Sequence, residues 1–135
     1  MKLPLIPVAG LAIYIPNDDG IEHLTAVIAA VADSGDVALV SITTDHGTRL
    51  TDRACVLDVG DHSFLRHRSF ALYADSWISS VEALQAGVDR REIRLAETFS
   101  AEVLERLARG AIDSPRTPRG PRDLVRKCWP ALESR

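Results

Sequence analysis

The stretch Asp36-Val-Ala-Leu-Val-Ser-Ile-Thr-Thr44 decides how the rest of the chain reads. It alternates, and it is rich in Val, Ile and Thr, whose branched side chains suit a pleated surface better than a helix. Asp33-Ser34-Gly35 precedes it and Asp45-His46-Gly47 follows it, so turn chemistry bounds it at both ends. Upstream, Leu24 to Val31 is a mostly apolar run. Before that, Leu11 to Ile15 is closed by the turn set Pro16-Asn17-Asp18-Asp19-Gly20. Downstream, Ala54 to Val59 stops at Gly60-Asp61, and Phe70 to Ile78 reads as a last long strand. Short strands about ten residues apart, with turn signals between them, predict a small barrel or sandwich.

The period changes in the final third. Ser79 to Ala86 reads as a short helix stopped by Gly87, and Glu92 to Leu95 fits either type. Ser100 then offers an N-cap, and Val103, Leu104, Leu107 and Ala111 recur at helical spacing before a stop at Gly110. Charged Glu102, Glu105, Arg106 and Arg109 fill the other side, so this helix is expected to lie on the open face or mouth of the barrel. Pro115, Pro118 and Pro121 make the following segment read as a linker that holds neither a helix nor an inner strand. The expected organisation is one α+β domain, mainly β. A barrel of five to seven short strands spans 1–95, a helix packed on it spans 96–114, and a basic Pro-rich extension spans 115–135. One or two C-terminal helices are expected in all.

The 135 residues, 46% of them apolar and 26% charged, suit a single folded domain and argue against intrinsic disorder. No apolar run approaches the ~20 residues of a membrane span, and Met1 to Gly10 makes a poor secretory signal because Pro4 and Pro7 break it. Cys55 and Cys128, far apart in sequence, suit a reduced, cytoplasmic protein. The net charge of -3 is a sum of unlike parts: residues 1–67 carry -5 and residues 68–135 carry +2. Pro115 to Lys127 alone holds Arg116, Arg119, Arg122, Arg126 and Lys127 against Asp123. Such a strip serves either as a phosphate-binding surface or as a solvated or partner-docking segment.

No CxxC or HExxH pair is present, the four histidines are scattered, and no Gly-rich phosphate loop or nucleophile elbow occurs, so neither a metal nor a cofactor is expected. The densest polar cluster is Gly60-Asp61-His62-Ser63-Phe64-Leu65-Arg66-His67-Arg68-Ser69. Imidazoles pass protons near neutral pH and guanidiniums grip phosphate with two bonds, a mixture suited to phosphodiester cleavage. The same loop is equally readable as a hydrogen-bonded connection, with Asp61 capping a turn and His67 satisfied by backbone. His23 opens the second strand, where it reads as either an edge histidine or a catalytic one. Thr43 and Thr44 end the third strand, where a hydroxyl can donate to a phosphate.

Leu11-Ala-Ile-Tyr-Ile15, Glu22-His23-Leu24-Thr-Ala-Val-Ile28 and Asp36 to Thr44, in that order, resemble the PemK/MazF family of toxin endoribonucleases. The resemblance covers roughly a quarter of the chain. It implies a small SH3-like barrel, usually dimeric, that cuts single-stranded RNA without a metal and is silenced by an antitoxin covering its RNA groove. Thr43 falls on the family's catalytic threonine. His23-Leu24 falls where the family has Arg-Pro, so a histidine stands in place of the catalytic arginine. Joined to the loop cluster, the resemblance implies that His23 and His67 share base and acid roles and that Thr43 holds the scissile phosphate. Arg66 then supplies positive charge, with Thr44, His62, Arg68 and Ser69 binding substrate. The alternative is a catalytically silent barrel that binds a protein partner or nucleic acid.

Overall fold

The computed structural model describes residues 9–16 and 22–133, so the turn expected after the first strand lies outside the described residues from Asn17 onward. Three strands come first: β1 (Ala12–Pro16), β2 (Glu22–Ala30) and β3 (Asp36–Thr44). Two short ones follow, β4 (Val56–Leu57) and β5 (Ser69–Ala71), then a 3-10 turn at Tyr73–Asp75, β6 (Trp77–Ser80), α1 (Val81–Asp89) and β7 (Arg94–Ala96). The chain closes with α2 (Ala101–Asp113), α3 (Arg119–Cys128) and α4 (Pro130–Glu133). The fold is α+β and mainly β: one antiparallel sheet of seven strands with four short helices among the described residues. Its path runs β4-β5-β3-β2-β1-β7, with β6 also on β3, and the sheet does not close into a barrel.

β3 is the hub. One edge pairs with β2 from Val37 to Ser41. The other edge is divided: β6 takes Asp36 to Leu39 and β5 takes Ile42 to Thr44. The single long strand expected over Phe70 to Ile78 is therefore two strands with a 3-10 turn between them. Tyr73 sits at the break and is anchored there. Its side chain is fully buried, and its hydroxyl donates to the Leu107 carbonyl of α2 at 2.6 Å, while the Tyr73 carbonyl accepts from the Ser76 hydroxyl at 2.7 Å. Leu72 still donates its amide to the Ser41 carbonyl at 2.9 Å, after which the run leaves β3 through the 3-10 turn and rejoins it at Trp77.

Both faces of the sheet are covered. On the first, Ala12, Leu24, Ala26, Ile28, Val40 and Ile42 pack with Val103, Leu107 and Ala111 of α2 and Val125 of α3. On the second, Ile13, Val27, Val37 and Leu39 pack with Leu84 of α1, flanked by Trp77, Val81 and Ile93. Two-sided burial explains why Leu24 to Ala30 reads as a mostly apolar run, interrupted only by Thr25. The β2–β3 register slips between Val27 and Ala29, leaving Ile28 without a cross-strand partner. The Ile28 carbonyl instead accepts from the Trp129 indole at 2.8 Å.

That contact overturns the reading of 115–135 as an extension. α3 starts straight after Pro118, and Pro121 sits in its first turn, where an amide hydrogen has no intrahelical acceptor to lose. Pro121 and Val125 are buried, α3 lies on β2 and β3, and Arg122 donates to the carbonyls of Ser114 and Thr117. Proline spacing suggested a linker because a proline's harmlessness depends on where the helix begins. No helix among the described residues is long and apolar enough to cross a membrane, and both cysteines are free thiols.

α1 and α2 are capped by Ser80 and Ser100, whose side chains accept from Ala83 N and Val103 N. Each helix also contains a glycine expected to end it. Gly87 and Gly110 lie inside, because a β-carbon would collide with Ile93 at the first and with Tyr73 and Cys55 at the second. Gly110→Ala should therefore destabilise the protein by about 1–3 kcal/mol through overpacking, although helix propensity alone favours alanine by about 1 kcal/mol. A urea midpoint equal to or above wild type would contradict this packing.

Candidate functional site

Along the second face of the sheet, the side-chain chemistry changes from apolar to polar. The alternation that puts Val37 and Leu39 in the core continues through β3 to Ser41 and Thr43, and in β2 it runs back from Val27 to Thr25 and His23. Thr25 lies opposite Ser41 in the register, their hydroxyls 3.5 Å apart. Continuing that register by two residues sets His23 across from Thr43. Both line a groove of about 350 Å³, completed by Ile15, Leu72, Asp75 and Trp77. Nε2 of His23 is buried and has no hydrogen-bond partner among the described residues. A buried polar nitrogen left unpaired costs about 1–3 kcal/mol.

On the opposite face of the same strand end, Ile42 and Thr44 line a second pocket of about 320 Å³ with Phe64, Leu65, Arg66, His67 and Ser69. Thr44 pairs with Ser69 across β3 and β5, and Arg66 donates to the Ser63 carbonyl at 2.7 Å. Phe64 meets Tyr14 edge-on with ring centroids 4.9 Å apart, and the Arg94 guanidinium lies 4.5 Å over the Tyr14 ring. Arg68, 62% exposed, is drawn to carboxylates instead, 3.8 Å from Asp58 and 4.0 Å from Asp45.

His62 occupies a third place. It is buried against Phe99, accepts from the Phe64 amide at Nδ1, and makes its other bond at Nε2 to the Glu97 carbonyl. Because Nδ1 accepts, Nε2 carries the hydrogen and donates. With both nitrogens committed, His62 fastens the 60–69 loop to the segment before α2, which removes it from the expected substrate-binding set. The expected pairing of His23 with His67 is corrected as well: the two line different pockets, because residues 43 and 44 point to opposite faces of a strand. The structure thus gathers His23 with Thr43, and separately Thr44, Arg66, His67 and Ser69.

Six of the eight groove residues escaped the sequence reading: Ile15, Thr25 and Leu72, and also Ser41, Trp77 and Asp75. Ser41 and Trp77 both looked like ordinary strand positions. Asp75 was hidden because Phe70 to Ile78 reads as one strand, in which it would be an alternating polar position. In the 3-10 turn it instead brings a carboxylate to the groove wall. Among the described residues, no group of three or more His, Cys, Asp or Glu side chains is placed to hold a metal ion.

Asp45, directly after Thr44, holds the strand end to the 47–53 loop. Its carboxylate accepts from the Gly47 amide at 2.7 Å, the Thr51 hydroxyl at 2.9 Å and Arg53 at 2.8 Å. These bonds, the Gly47 amide foremost, hold its carboxyl below the ordinary 3.8 despite opposing desolvation. A group whose folded-state pKa is depressed contributes stability above its unfolded value and loses it as pH falls through the folded one. Wild type should therefore lose stability as pH drops below about 3.8, and Asp45→Asn should flatten that slope. Identical slopes in urea titrations of the two proteins between about pH 5 and pH 2 would refute the assignment. No protein-family model matches this chain, and no curated protein does.

Proposed function

We propose that this protein is the toxin-like member of a toxin–antitoxin pair of the PemK/MazF kind, cleaving single-stranded RNA in the His23–Thr43 groove. One observation carries the reading. The two residues that fall on the family's catalytic positions come from different strands, yet they line a single groove. Supporting it, the groove ends a polar stripe on an otherwise apolar sheet face, so side chains that packing alone would have made apolar are hydroxyls and an imidazole.

The chemistry follows from those groups. His23 takes the proton of a ribose 2′-hydroxyl, whose oxygen attacks the adjacent phosphorus. The bond to the 5′ oxygen breaks, leaving a 2′,3′-cyclic phosphate, and the departing oxygen takes a proton from solvent. Hydroxyls of Thr43 and Ser41 donate to the non-bridging oxygens as charge develops there. The imidazolium formed on His23 supplies part of the positive charge that an arginine at that position would carry. Trp77 offers a face for a base, and Asp75 keeps phosphates to the His23 side by repulsion. A second copy of the chain and a cognate antitoxin segment over the groove complete the proposal, with the cytoplasm as the place where such RNA is met.

A second reading, binding without cleavage, is favoured by one feature: among the described residues, the groove wall carries the Asp75 carboxylate and no lysine or arginine. Unstructured RNA incubated with the purified chain in chelator separates the two. Cleavage that falls by about 10²-fold or more in His23→Ala and clearly in Thr43→Ala supports the enzyme. Intact RNA bound with an affinity that depends on Thr43 supports the silent binder and ends the catalytic proposal.

A further inference from the structure

We propose that the pocket between Thr44 and the 64–69 segment is a nucleotide subsite that receives a residue of the RNA chain flanking the scissile bond. The inference rests on the RNA-cleaving reading and adds to it where a neighbouring nucleotide is held. Its lining has the two halves such a ligand needs. Ile42 and Leu65 are buried and form an apolar floor, and Phe64 beside them is 40% exposed, its ring edge-on to Tyr14. An exposed aromatic face at the mouth of an apolar pocket is a stacking platform for a base. Arg66, His67 and the hydroxyl of Thr44 supply donors for a phosphate at the rim.

Arg66 is already oriented. The hydrogen bond to Ser63 commits one of its five N–H groups and steadies the fork, so less freedom is lost when the others meet a phosphate. Charge separates this pocket from the groove. Among the described residues, none of those lining it is acidic, whereas Asp75 lines the groove. The nearest carboxylate in sequence, Asp45, is engaged with Gly47, Thr51 and Arg53. A chain phosphate therefore gains more here than against Asp75. Position supplies the link between the sites. Thr43 faces the groove and Thr44 the pocket, so an RNA strand bound in the groove and crossing the end of β3 brings its next nucleotide to Phe64 and Arg66. The volume of about 320 Å³ lies at the lower end of ordinary ligand sites.

The full chain is titrated with nucleoside 5′-monophosphates, with inorganic phosphate, and with a short unstructured RNA, using wild type, Arg66→Ala, Arg66→Lys and Phe64→Ala. Both positions are at the surface, and unchanged thermal unfolding confirms that the variants fold. Mononucleotides should shift backbone amide resonances of residues 64–69. Phe64→Ala should weaken mononucleotides about tenfold while leaving inorganic phosphate unchanged. Arg66→Ala should weaken both, with Arg66→Lys recovering only part of the loss. For RNA cleavage, Arg66→Ala and Phe64→Ala should raise KM about tenfold and leave kcat within about twofold. Mononucleotides that leave these resonances unmoved, or bind every variant alike, overturn the proposal. Arg66-dependent mononucleotide binding with an unchanged RNA KM also overturns it, assigning the pocket to a free nucleotide. RNA that is bound through Arg66 and Phe64 but never cut upholds the subsite while the catalytic reading falls.

Discussion

β3 must satisfy three neighbouring strands with two edges and bury both of its faces, and the rest of the molecule is arranged around that demand. One edge goes whole to β2, while the other is shared end to end by β6 and β5. Sharing an edge requires the partner chain to leave it and return, and the 3-10 turn at Tyr73–Asp75 does this. Tyr73 anchors the departure through a buried hydrogen bond to α2. The helical layer thus holds the interruption of the sheet in place. The interruption in turn places Asp75 and Trp77 beside the end of β3.

Burial of both faces has a second consequence. A sheet covered on one side needs one amphipathic layer, whereas this one needs helices on both. α1 covers the second face only partway along β3, and beyond it the residues turn to serine, threonine and histidine. On the first face, α2 and α3 extend further. α3 is held to β2 where the bulge at Ile28 turns a carbonyl away from the ladder toward Trp129. An irregularity in the sheet is thereby the attachment point of the C-terminal helix. The two candidate pockets lie at the end of β3, where neither helical layer finishes covering the strand.

Much of this was legible in the chain. The bounds of β3, the strands before it and the Ser100 cap all follow from local chemistry: alternation, β-branching, turn residues and a hydroxyl positioned to accept an amide. The glycines were misleading for the opposite reason. Gly87 and Gly110 look like helix stops, but they are required by close packing: Gly87 by Ile93, beyond the end of its helix, and Gly110 by Tyr73 and Cys55, remote in the sequence. The prolines of 115–121 misled similarly, since their effect depends on the turn of helix they occupy. Of the site, residue types were legible and grouping was not: His62, His67 and Arg66 stand within one loop, yet they serve two different purposes.

What the sequence by itself determined is the set of elements and the chemical inventory. These depend on interactions among residues a few positions apart, and such interactions leave a periodic trace. Which residues meet was decided by tertiary structure alone. Thr43 and Thr44 are neighbours in the chain, but strand geometry sends them to opposite faces and hence to different pockets. His23 and Thr43 are separated by a whole turn of chain, but antiparallel pairing brings them to one groove. Faces and registers are properties of the assembled sheet, with burial choosing among alternatives that local chemistry leaves equal in energy.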